Sequence, residues 1–390
     1  VPGGPGPWRP LPSVRFTSAW VSSAKNPERA TGAGPDTRFD GEEMRDALRR
    51  LVVWMHSDRY PTWSMPESTV HSLEEALGPG WTVDVIREPT FAGGDGSREI
   101  PPAVLRAVAD AEIYFGFGIS PELFLAASQL RWVHSAAAGA RASLFHEMCE
   151  SEVVLTNSAG IYAAPLAEWT MAAVLYFARG FDVAERGRSD RRWPYDEMAA
   201  FGHPQREVAG STIGIVGYGG IGRSIGRRAK ALGMRVLAVR SRSPDGAVEG
   251  ADESFGPEGL VEVLERSHYV VLSLPETSVT TGLIGASELA RMRPDSVLLN
   301  LSRGGIVDED ALVDALGSKR IRGAALDVFR EEPLPADSPL WILEHVLITP
   351  HAGAISPRFW QRETDLMVRN IGHYLAGGRM ENVVDKTRGY

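Results

Sequence analysis

Short apolar segments alternate with longer amphipathic segments along most of the chain. The first apolar segment covers residues 50–55 and the last covers residues 346–350. Strands of a parallel sheet are buried on both faces and need a crossover, usually a helix, between them. The alternation therefore predicts an α/β protein with helices packed on parallel sheets.

The apolar segments fall into two series. Between them lie a long helix, predicted from about Ala164 to Arg179, and an Arg- and Asp-rich connector that contains Trp193. The strands of the first series are RLVVWM, WTVDVI, EIYFGF, LRWVHSA and VVLTNS, those of the second are TIGIVGYG, RVLAVR, YVVLSL, SVLLNLS, GAALDVF and VLITP, and a closing helix is predicted at RETDLMVRNIGHYLA. Two doubly wound parallel-sheet domains are therefore expected, after a Pro-, Gly-, Ser- and Arg-rich extension over residues 1–46.

Composition narrows the class of protein. A length of 390 residues suits two domains, and a net charge of −9 argues against general binding to nucleic acid or anionic membranes. The most apolar stretch contains Pro165 and Glu168, which favours a buried helix over a membrane span. Because Cys149 is the one cysteine and the start is unlike a signal peptide, a cytoplasmic protein without an internal disulfide is expected. No metal site is predicted.

The segment GYGGIG follows a predicted strand and opens a predicted helix. In such a turn Gly217 allows the tight bend, Gly219 lets the backbone approach a pyrophosphate, and Gly222 lets the helix pack closely on the strand. The helix N-terminus then offers unpaired N–H groups to the phosphates. A glycine-rich turn can be purely structural, but strand, turn, helix and second strand all occur here within about 30 residues, which favours dinucleotide binding.

Charged side chains follow three later strands. Arg303 follows SVLLNLS, the acids Asp327, Glu331 and Glu332 stand at and after the end of GAALDVF, and His351 follows VLITP. Ligands of such sheets bind outside the carboxyl ends of the strands, where an arginine suits a substrate carboxylate and a histidine held by a carboxylate can transfer a proton. A solvated arginine, helix caps or surface charges would also fit the pattern, and Glu331 is interpreted as a surface charge.

Five motifs, taken in order, resemble those of the D-isomer-specific 2-hydroxyacid dehydrogenases, the family of phosphoglycerate dehydrogenase, glycerate dehydrogenase and glyoxylate/hydroxypyruvate reductase. The motifs are WVHSAAAGA, VGYGGIG, NLSRGGIVDE, DVFREEPLP and TPHAGA, and the resemblance covers about residues 50–390. It implies that Arg303, Glu332 and His351 are catalytic and that Asp327 lies near the nicotinamide carboxamide. Further predicted cofactor contacts are Gly220, Ile221 and Pro275.

The resemblance also implies that the backbone N–H groups of Ala138 and Gly139 hold the substrate carboxylate. The family often reads A-G-V-D in this loop, whereas this chain has Ala138, Gly139, Ala140 and Arg141. The departure raises the question of how the loop packs and which substrate it prefers, but it leaves the backbone contacts unchanged.

A domain arrangement is implied as well. A Rossmann cofactor domain, residues 158–351, would be inserted into a flavodoxin-like substrate domain formed by residues 47–157 and completed by residues 352–390. Two helices would cross the junction, and the active site would occupy the cleft between the domains. The resemblance further implies a homodimer formed through the cofactor domain, with the connector around Trp193 in the dimerisation arm.

The expected function is that of an NAD(P)-dependent oxidoreductase that transfers a hydride between a nicotinamide cofactor and a 2-oxoacid/D-2-hydroxyacid pair. One alternative is a corepressor-like binding protein that senses the dinucleotide, and another is a formate or phosphite oxidoreductase. Glu332 argues against formate, because formate dehydrogenases resemble this pattern with Gln in that position. Residues 114–120, His134 and Trp360 are expected around the rest of the substrate. Among them, Phe115, Phe117 and Trp360 would suit an apolar or aromatic group, although core packing explains these three at least as well.

The segment VLAVRSRS bears on the choice between NAD and NADP. NAD-specific members place an acid at the end of this strand to bind the ribose 2′-OH, whereas this chain has Arg240, Ser241 and Arg242. A carboxylate would repel a 2′-phosphate, while arginine can form charge-assisted hydrogen bonds with it and serine can donate another. NADP is therefore the predicted cofactor, with NAD the alternative if Arg240 stacks on the adenine or points to solvent.

Overall fold

The computed structural model describes residues 48–90, 100–200, 205–241 and 248–389. The predicted extension, residues 1–46, lies outside the described residues, as does Arg242 of the predicted cofactor contacts. Within the described ranges, no helix is both long and apolar enough to cross a membrane.

Five parallel strands form the first sheet, in the order β2-β1-β3-β4-β5. The strands are β1 (Arg49–Trp54), β2 (Trp81–Val85), β3 (Ile113–Gly116), β4 (Trp132–Ser135) and β5 (Val154–Asn157), and the helices in this part are α1 (Glu67–Leu77), α2 (Pro102–Val108), α3 (Pro121–Ala126) and α4 (His146–Glu150). This order is that of flavodoxin-like sheets, as the sequence predicted. Each of the five predicted strands is confirmed, with bounds shifted by one or two residues.

Seven parallel strands form the second sheet, in the order β12-β11-β10-β9-β6-β7-β8. The strands are β6 (Thr212–Val216), β7 (Arg235–Val239), β8 (Glu253–Phe255), β9 (Tyr269–Leu272), β10 (Val297–Asn300), β11 (Gly323–Leu326) and β12 (Val346–Ile348). This is the Rossmann order, continued by one strand at the β12 edge. Sequence analysis missed β8 because it has three half-buried residues at the other edge and no apolar run.

Further helices cover the second sheet or join the two sheets. They are α5 (Ala163–Ala178), α6 (Phe181–Ser189), α7 (Tyr195–Ala199), α8 (Gly220–Ala231), α9 (Leu260–Arg266), α10 (Ala286–Arg291), α11 (Glu309–Gly317) and α12 (Phe359–Leu375). The most apolar stretch of the chain is α5, which is largely buried and packs on α8. The closing helix α12 packs on α1, so the end of the chain returns to the first sheet.

Strand order reverses at one point in each sheet, and such points are where ligands of open α/β sheets bind. In the second sheet the reversal lies between β6 and β9, where the glycine-rich turn (residues 217–222) follows β6. The predicted site residues follow the carboxyl ends of β4, β6, β7, β9, β10, β11 and β12. The fold therefore gathers them at the strand ends where a ligand is expected.

Candidate active site

Two of the three motif glycines of the glycine-rich turn lie where a side chain would clash with the backbone. Gly217 has φ 95°, and a Cβ on it would lie 2.4 Å from the Ser273 carbonyl oxygen. A Cβ on Gly222 would lie 2.4 Å from the Gly217 carbonyl oxygen, whereas one on Gly219 would meet open space. The turn therefore needs glycine at Gly217 and Gly222 to close, and Gly219 leaves the backbone open to a ligand.

Backbone N–H groups lie at the open side of Gly219. Helix α8 begins at Gly220, and the N–H groups of Gly219, Gly220 and Ile221 have no acceptor among the described residues. A helix N-terminus with free N–H groups and a positive dipole end favours an anion. The residues present thus fit a dinucleotide pyrophosphate.

The end of β9 lies against the same turn. The Ser273 hydroxyl donates to the Gly217 carbonyl oxygen at 2.5 Å, and two residues later Pro275 is exposed. The Pro275 carbonyl oxygen accepts from the Thr280 hydroxyl at 2.7 Å, which fixes the loop that follows. The predicted cofactor contact Pro275 therefore lies at the point where the strand order reverses.

Arg240 and Ser241 follow β7 directly. The Arg240 N–H donates to the Phe255 carbonyl oxygen at 2.9 Å, while its side chain is half-buried and pairs with no acid in the described part of the chain. Ser241 is exposed. The Arg240 guanidinium is thus available at the end of the second Rossmann strand, where the adenine ribose is bound in this fold.

His351 and Glu332 form a hydrogen-bonded pair. Nδ1 of His351 lies 2.7 Å from Oε2 of Glu332, and Nε2 of His351 has no partner among the described residues. Oε1 of Glu332 accepts from the Phe329 N–H at 2.9 Å, so both carboxylate oxygens are engaged. Burial alone would raise the pKa of Glu332, but the hydrogen bonds from His351 and the Phe329 N–H, together with the charge of Arg303, hold it below its ordinary value. An ionised Glu332 orients the imidazole and leaves Nε2 to exchange a proton.

Arg303 reaches the substrate loop, defined here as residues 135–141. Its Nη2 lies 3.2 Å from where a Cβ on Gly139 would be, and its Nη1 donates to the Ser302 carbonyl oxygen at 2.6 Å. The amide of Asn300 donates to the Arg303 carbonyl oxygen at 3.0 Å and holds the backbone after β10. The structure therefore brings together Arg303 and Gly139, which are far apart in sequence.

The loops that carry Arg303 and Glu332 are packed backbone to backbone. A Cβ on Gly304 would lie 1.9 Å from the Phe329 carbonyl carbon, so only glycine permits this approach. Since the Phe329 N–H also binds Glu332, one contact sets the spacing of the predicted catalytic residues.

The N–H groups of Ala138 and Gly139 have no acceptor within the described residues. The Ala138 carbonyl oxygen accepts from the Asn157 amide at 2.8 Å. With the carbonyl held by Asn157, which ends β5, the two N–H groups have no acceptor in this part of the chain, and their binding to a carboxylate stays a prediction. The departure from the family sequence is accommodated, because Ala140 is buried and Arg141 extends to Glu276, with Nη1 and Oε1 2.8 Å apart.

Asp327 is buried beneath the histidine loop, defined here as residues 349–353. Its Oδ1 accepts from the Thr349 hydroxyl at 2.5 Å and from the N–H groups of Ala352 and Gly353 at 2.9 and 3.0 Å. The Asp327 carboxylate thus shapes the backbone that presents His351. The contact with a nicotinamide carboxamide stays a prediction.

One side chain near the site does not lie where the sequence predicted it, and one supporting side chain was not predicted. His134 was expected near the substrate, but its side chain is fully buried and bound to Glu363, so it lines no open pocket. Trp169 of α5 donates to the Thr349 hydroxyl at 3.0 Å and supports the histidine loop, which the sequence could not indicate because Trp169 is one apolar residue on an apolar helix.

Comparison with known proteins shows which family the chain matches. Residues 171–353 match the family model described as D-isomer specific 2-hydroxyacid dehydrogenase, NAD binding domain. A glyoxylate reductase from Thermococcus gammatolerans is 35% identical over 337 residues, which cover 83% of this chain and 95% of the relative. A glyoxylate reductase from Korarchaeum cryptofilum is 33% identical over 296 residues, which cover 74% of this chain and 88% of the relative.

A solved structure agrees with these relatives. The D-isomer specific 2-hydroxyacid dehydrogenase from Xanthobacter autotrophicus Py2, in complex with NADPH and MES, has a TM-score of 0.71 and 30% sequence identity, covering 88% of this chain and all of that one (100%). These proteins are named as enzymes and give no support to a corepressor-like binding protein. The chain belongs to the D-isomer-specific 2-hydroxyacid dehydrogenases, NAD(P)-dependent oxidoreductases that act on 2-oxoacid/D-2-hydroxyacid pairs.

Proposed function

We propose that Arg303, Glu332 and His351 are the catalytic residues of this oxidoreductase. The observation that carries the assignment is the 2.7 Å contact of His351 Nδ1 with Glu332 Oε2, which leaves Nε2 without a described partner. In reduction, His351 protonates the oxygen of the 2-oxo group, and in oxidation it accepts the hydroxyl proton. Glu332 holds the ring in position and stabilises its protonated form.

The substrate carboxylate binds to Arg303 and to the N–H groups of Ala138 and Gly139. The proximity of Arg303 Nη2 to Gly139 supports a single carboxylate contacting both. Arg303 also polarises the 2-oxo group, so the negative charge that develops on its oxygen is stabilised.

NADP is the proposed cofactor, with NAD as the alternative. When bound, the nicotinamide supplies or accepts the hydride. The glycine-rich turn, with Gly219, Gly220 and Ile221, would hold the pyrophosphate, and Arg240 and Ser241 would meet the 2′-phosphate. Arg242, the third residue predicted there, lies outside the described residues. The related Xanthobacter enzyme with bound NADPH supports this choice.

The experiment follows the oxidation of NADPH or NADH directly by absorbance. The oxoacids tested are glyoxylate, hydroxypyruvate, pyruvate, 2-oxoisocaproate and phenylpyruvate. We expect turnover of at least one oxoacid and a loss of roughly 10²–10⁴-fold in His351→Ala, the usual contribution of general acid–base catalysis. His373→Ala, on the last turn of α12, is the matched control and should retain activity. Near-normal turnover in His351→Ala would refute the assignment.

The proposed domains are the cofactor domain, residues 158–351, inserted into the substrate domain, residues 47–157 and 352–390. The packing of α12 on α1 supports this division. A cytoplasmic location is also proposed and is supported by the single cysteine.

A homodimer is proposed through the segment between α5 and β6. Three large apolar side chains are exposed there, with Phe181 at 54%, Trp193 at 87% and Tyr195 at 65% of full exposure. Large apolar side chains exposed along one segment are a feature of protein interfaces. Sedimentation velocity should show a dimer for the wild type and a shift toward monomer for Trp193→Asp, whereas a wild-type monomer at all concentrations would contradict the proposal.

A further inference from the structure

A buried polar network lies beneath the substrate loop. His134 Nδ1 is 2.7 Å from the Thr156 hydroxyl, and His134 Nε2 is 2.7 Å from Oε1 of Glu363. The side chains of His134 and Glu363 are both fully buried. Trp132 Nε1 donates to the same Thr156 hydroxyl at 2.8 Å. The network joins β4, β5 and α12 at the base of the loop.

Ser158 extends this network to the loop backbone. Its hydroxyl lies 2.9 Å from Oε1 of Glu363 and 3.1 Å from the Ser135 carbonyl oxygen, and its single hydrogen can go to either. The Ser158 N–H donates to the carbonyl oxygens of Ser135 and Ala137 at 3.0 and 3.2 Å. The Glu363 carboxylate is thus one hydrogen bond away from the residue that holds these two carbonyls.

Other contacts hold the next carbonyls of the loop. The Tyr162 hydroxyl donates to the Ala136 carbonyl oxygen, and the Asn157 amide donates to that of Ala138. Phe359 stacks on Tyr162 with ring centroids 5.7 Å apart, and it stands one helical turn before Glu363 on α12. Burial, followed by the Glu363 carboxylate, raises the pKa of Tyr162. Helix α12 therefore contacts the groups that support the loop at two points, Phe359 and Glu363.

Burying these polar groups costs folding free energy, which suggests that the network has a role. Burying a carboxylate and an imidazole removes both from water, and an apolar pair of similar volume would fill the space without that cost. One oxygen, Oε2 of Glu363, even lacks a partner among the described residues. What the polar pair provides, and an apolar pair could not, is a directional link between α12 and the carbonyls of the loop.

We propose that His134 and Glu363 are positioning residues, which hold the substrate loop so that the N–H groups of Ala138 and Gly139 face the substrate carboxylate. This inference rests on the proposed role of those N–H groups. The pair touches neither substrate nor cofactor and acts through Ser158 and the loop backbone. Its loss weakens carboxylate binding in the ground state and the transition state alike, so KM rises while kcat is largely kept.

The main test compares Glu363→Met with Thr364→Val. Methionine has a similar length but cannot accept the hydrogen bonds that Oε1 of Glu363 forms. Thr364 is the neighbouring residue on α12, and its hydroxyl lies 2.8 Å from that of Thr69, away from the loop. For Glu363→Met we expect KM for the oxoacid and the inhibition constant of oxalate to rise about 10- to 100-fold, since a displacement of about 1 Å can cost up to 10²-fold. We expect kcat within about twofold and the dissociation constant of NADPH, followed by fluorescence, to be unchanged. Thr364→Val should lower the melting temperature only.

A second comparison uses His134 and does not depend on the folding of the Glu363 variant. Glutamine places its amide nitrogen near the position of the histidine Nε2, so His134→Gln keeps the link to Glu363, whereas His134→Asn keeps only the link to Thr156. His134→Gln should therefore have a lower KM than His134→Asn at similar melting temperature.

Three outcomes would overturn the inference. These are an unchanged KM and oxalate inhibition constant in Glu363→Met, a joint loss of kcat and NADPH affinity that follows melting temperature, or equal KM values for the two His134 variants. A wild-type protein that turns over no oxoacid would instead contradict the proposed function, so the two failures are distinguishable.

Discussion

Arg141 and Glu276 connect the carboxyl ends of the two sheets above the site. Nη1 of Arg141, in the loop after β4, lies 2.8 Å from Oε1 of Glu276, in the loop after β9. The Arg141 side chain is 72% exposed, so solvent screens this ion pair. On the other side, the Glu276 carboxylate lies about 2.9 Å from where a Cβ on Gly305 would be, two residues after Arg303.

Removing either member of this pair should weaken substrate binding slightly. Exposed ion pairs contribute about 0.2–1 kcal/mol, so we expect Arg141→Gln and Glu276→Gln each to raise KM by roughly 1.4- to 5-fold at low salt. The difference from wild type should disappear near 0.5 M NaCl, a concentration chosen so that screening is strong. The double variant should match the single ones, and simple addition of the two effects would show that the pair is not coupled.

Glu332→Gln should change both the rate and the dependence of stability on pH. The amide carries no negative charge to balance that of a protonated His351, so turnover should fall. Glu331→Gln, an exposed neighbour, is the matched control and should behave as wild type.

The lowered pKa of Glu332 determines how its contribution to stability changes with pH. The pKa of Glu332 in the folded protein lies below its ordinary value of 4.5, so its contribution is present above that pH and is lost as the pH falls through the folded value. The melting temperatures of wild type and Glu332→Gln should therefore differ at pH 7 and converge below about pH 4. A difference that grows on acidification would contradict the assignment of Glu332 as the ionised partner.

Gly304→Ala should damage both stability and activity. The added methyl group would overlap the Phe329 backbone and separate the Arg303 and Glu332 loops, at a cost of about 1–3 kcal/mol. Gly317→Ala is the control, because a Cβ there meets nothing within 4 Å. Thermal melts and kcat/KM should show a loss for Gly304→Ala alone, and equal behaviour of the two variants would show that the backbone contact is unimportant.

Arg240→Asp should reverse the cofactor preference. Loss of a charge-assisted hydrogen bond costs about 1.5–3 kcal/mol, so the ratio of kcat/KM for NADPH over NADH should fall roughly 10- to 150-fold. Arg235→Gln, at the opposite end of β7, should leave the ratio unchanged. A wild-type preference for NADH would contradict the choice of NADP, and an unchanged ratio in Arg240→Asp would show that Arg240 does not bind the 2′-phosphate.

Much of the fold could be predicted from the sequence because its signals are local. Apolar runs bounded by turns identified the strands of both sheets except β8, and the spacing of Gly217, Gly219 and Gly222 after a strand identified the dinucleotide turn. Resemblance to a family supplied the strand orders and the candidate roles of Arg303, Glu332 and His351. The half-buried edge strand β8 was missed because three residues carry too little apolar pattern.

Only the tertiary structure decided which distant side chains meet. The contact of Arg141 with Glu276 spans 135 residues, and that of His134 with Glu363 spans 229. Neither pair leaves a local pattern, because hydrogen bonds between elements depend on how sheets and helices pack rather than on spacing along the chain. For the same reason the sequence predicted that His134 lies near the substrate, whereas its side chain is fully buried beneath the substrate loop.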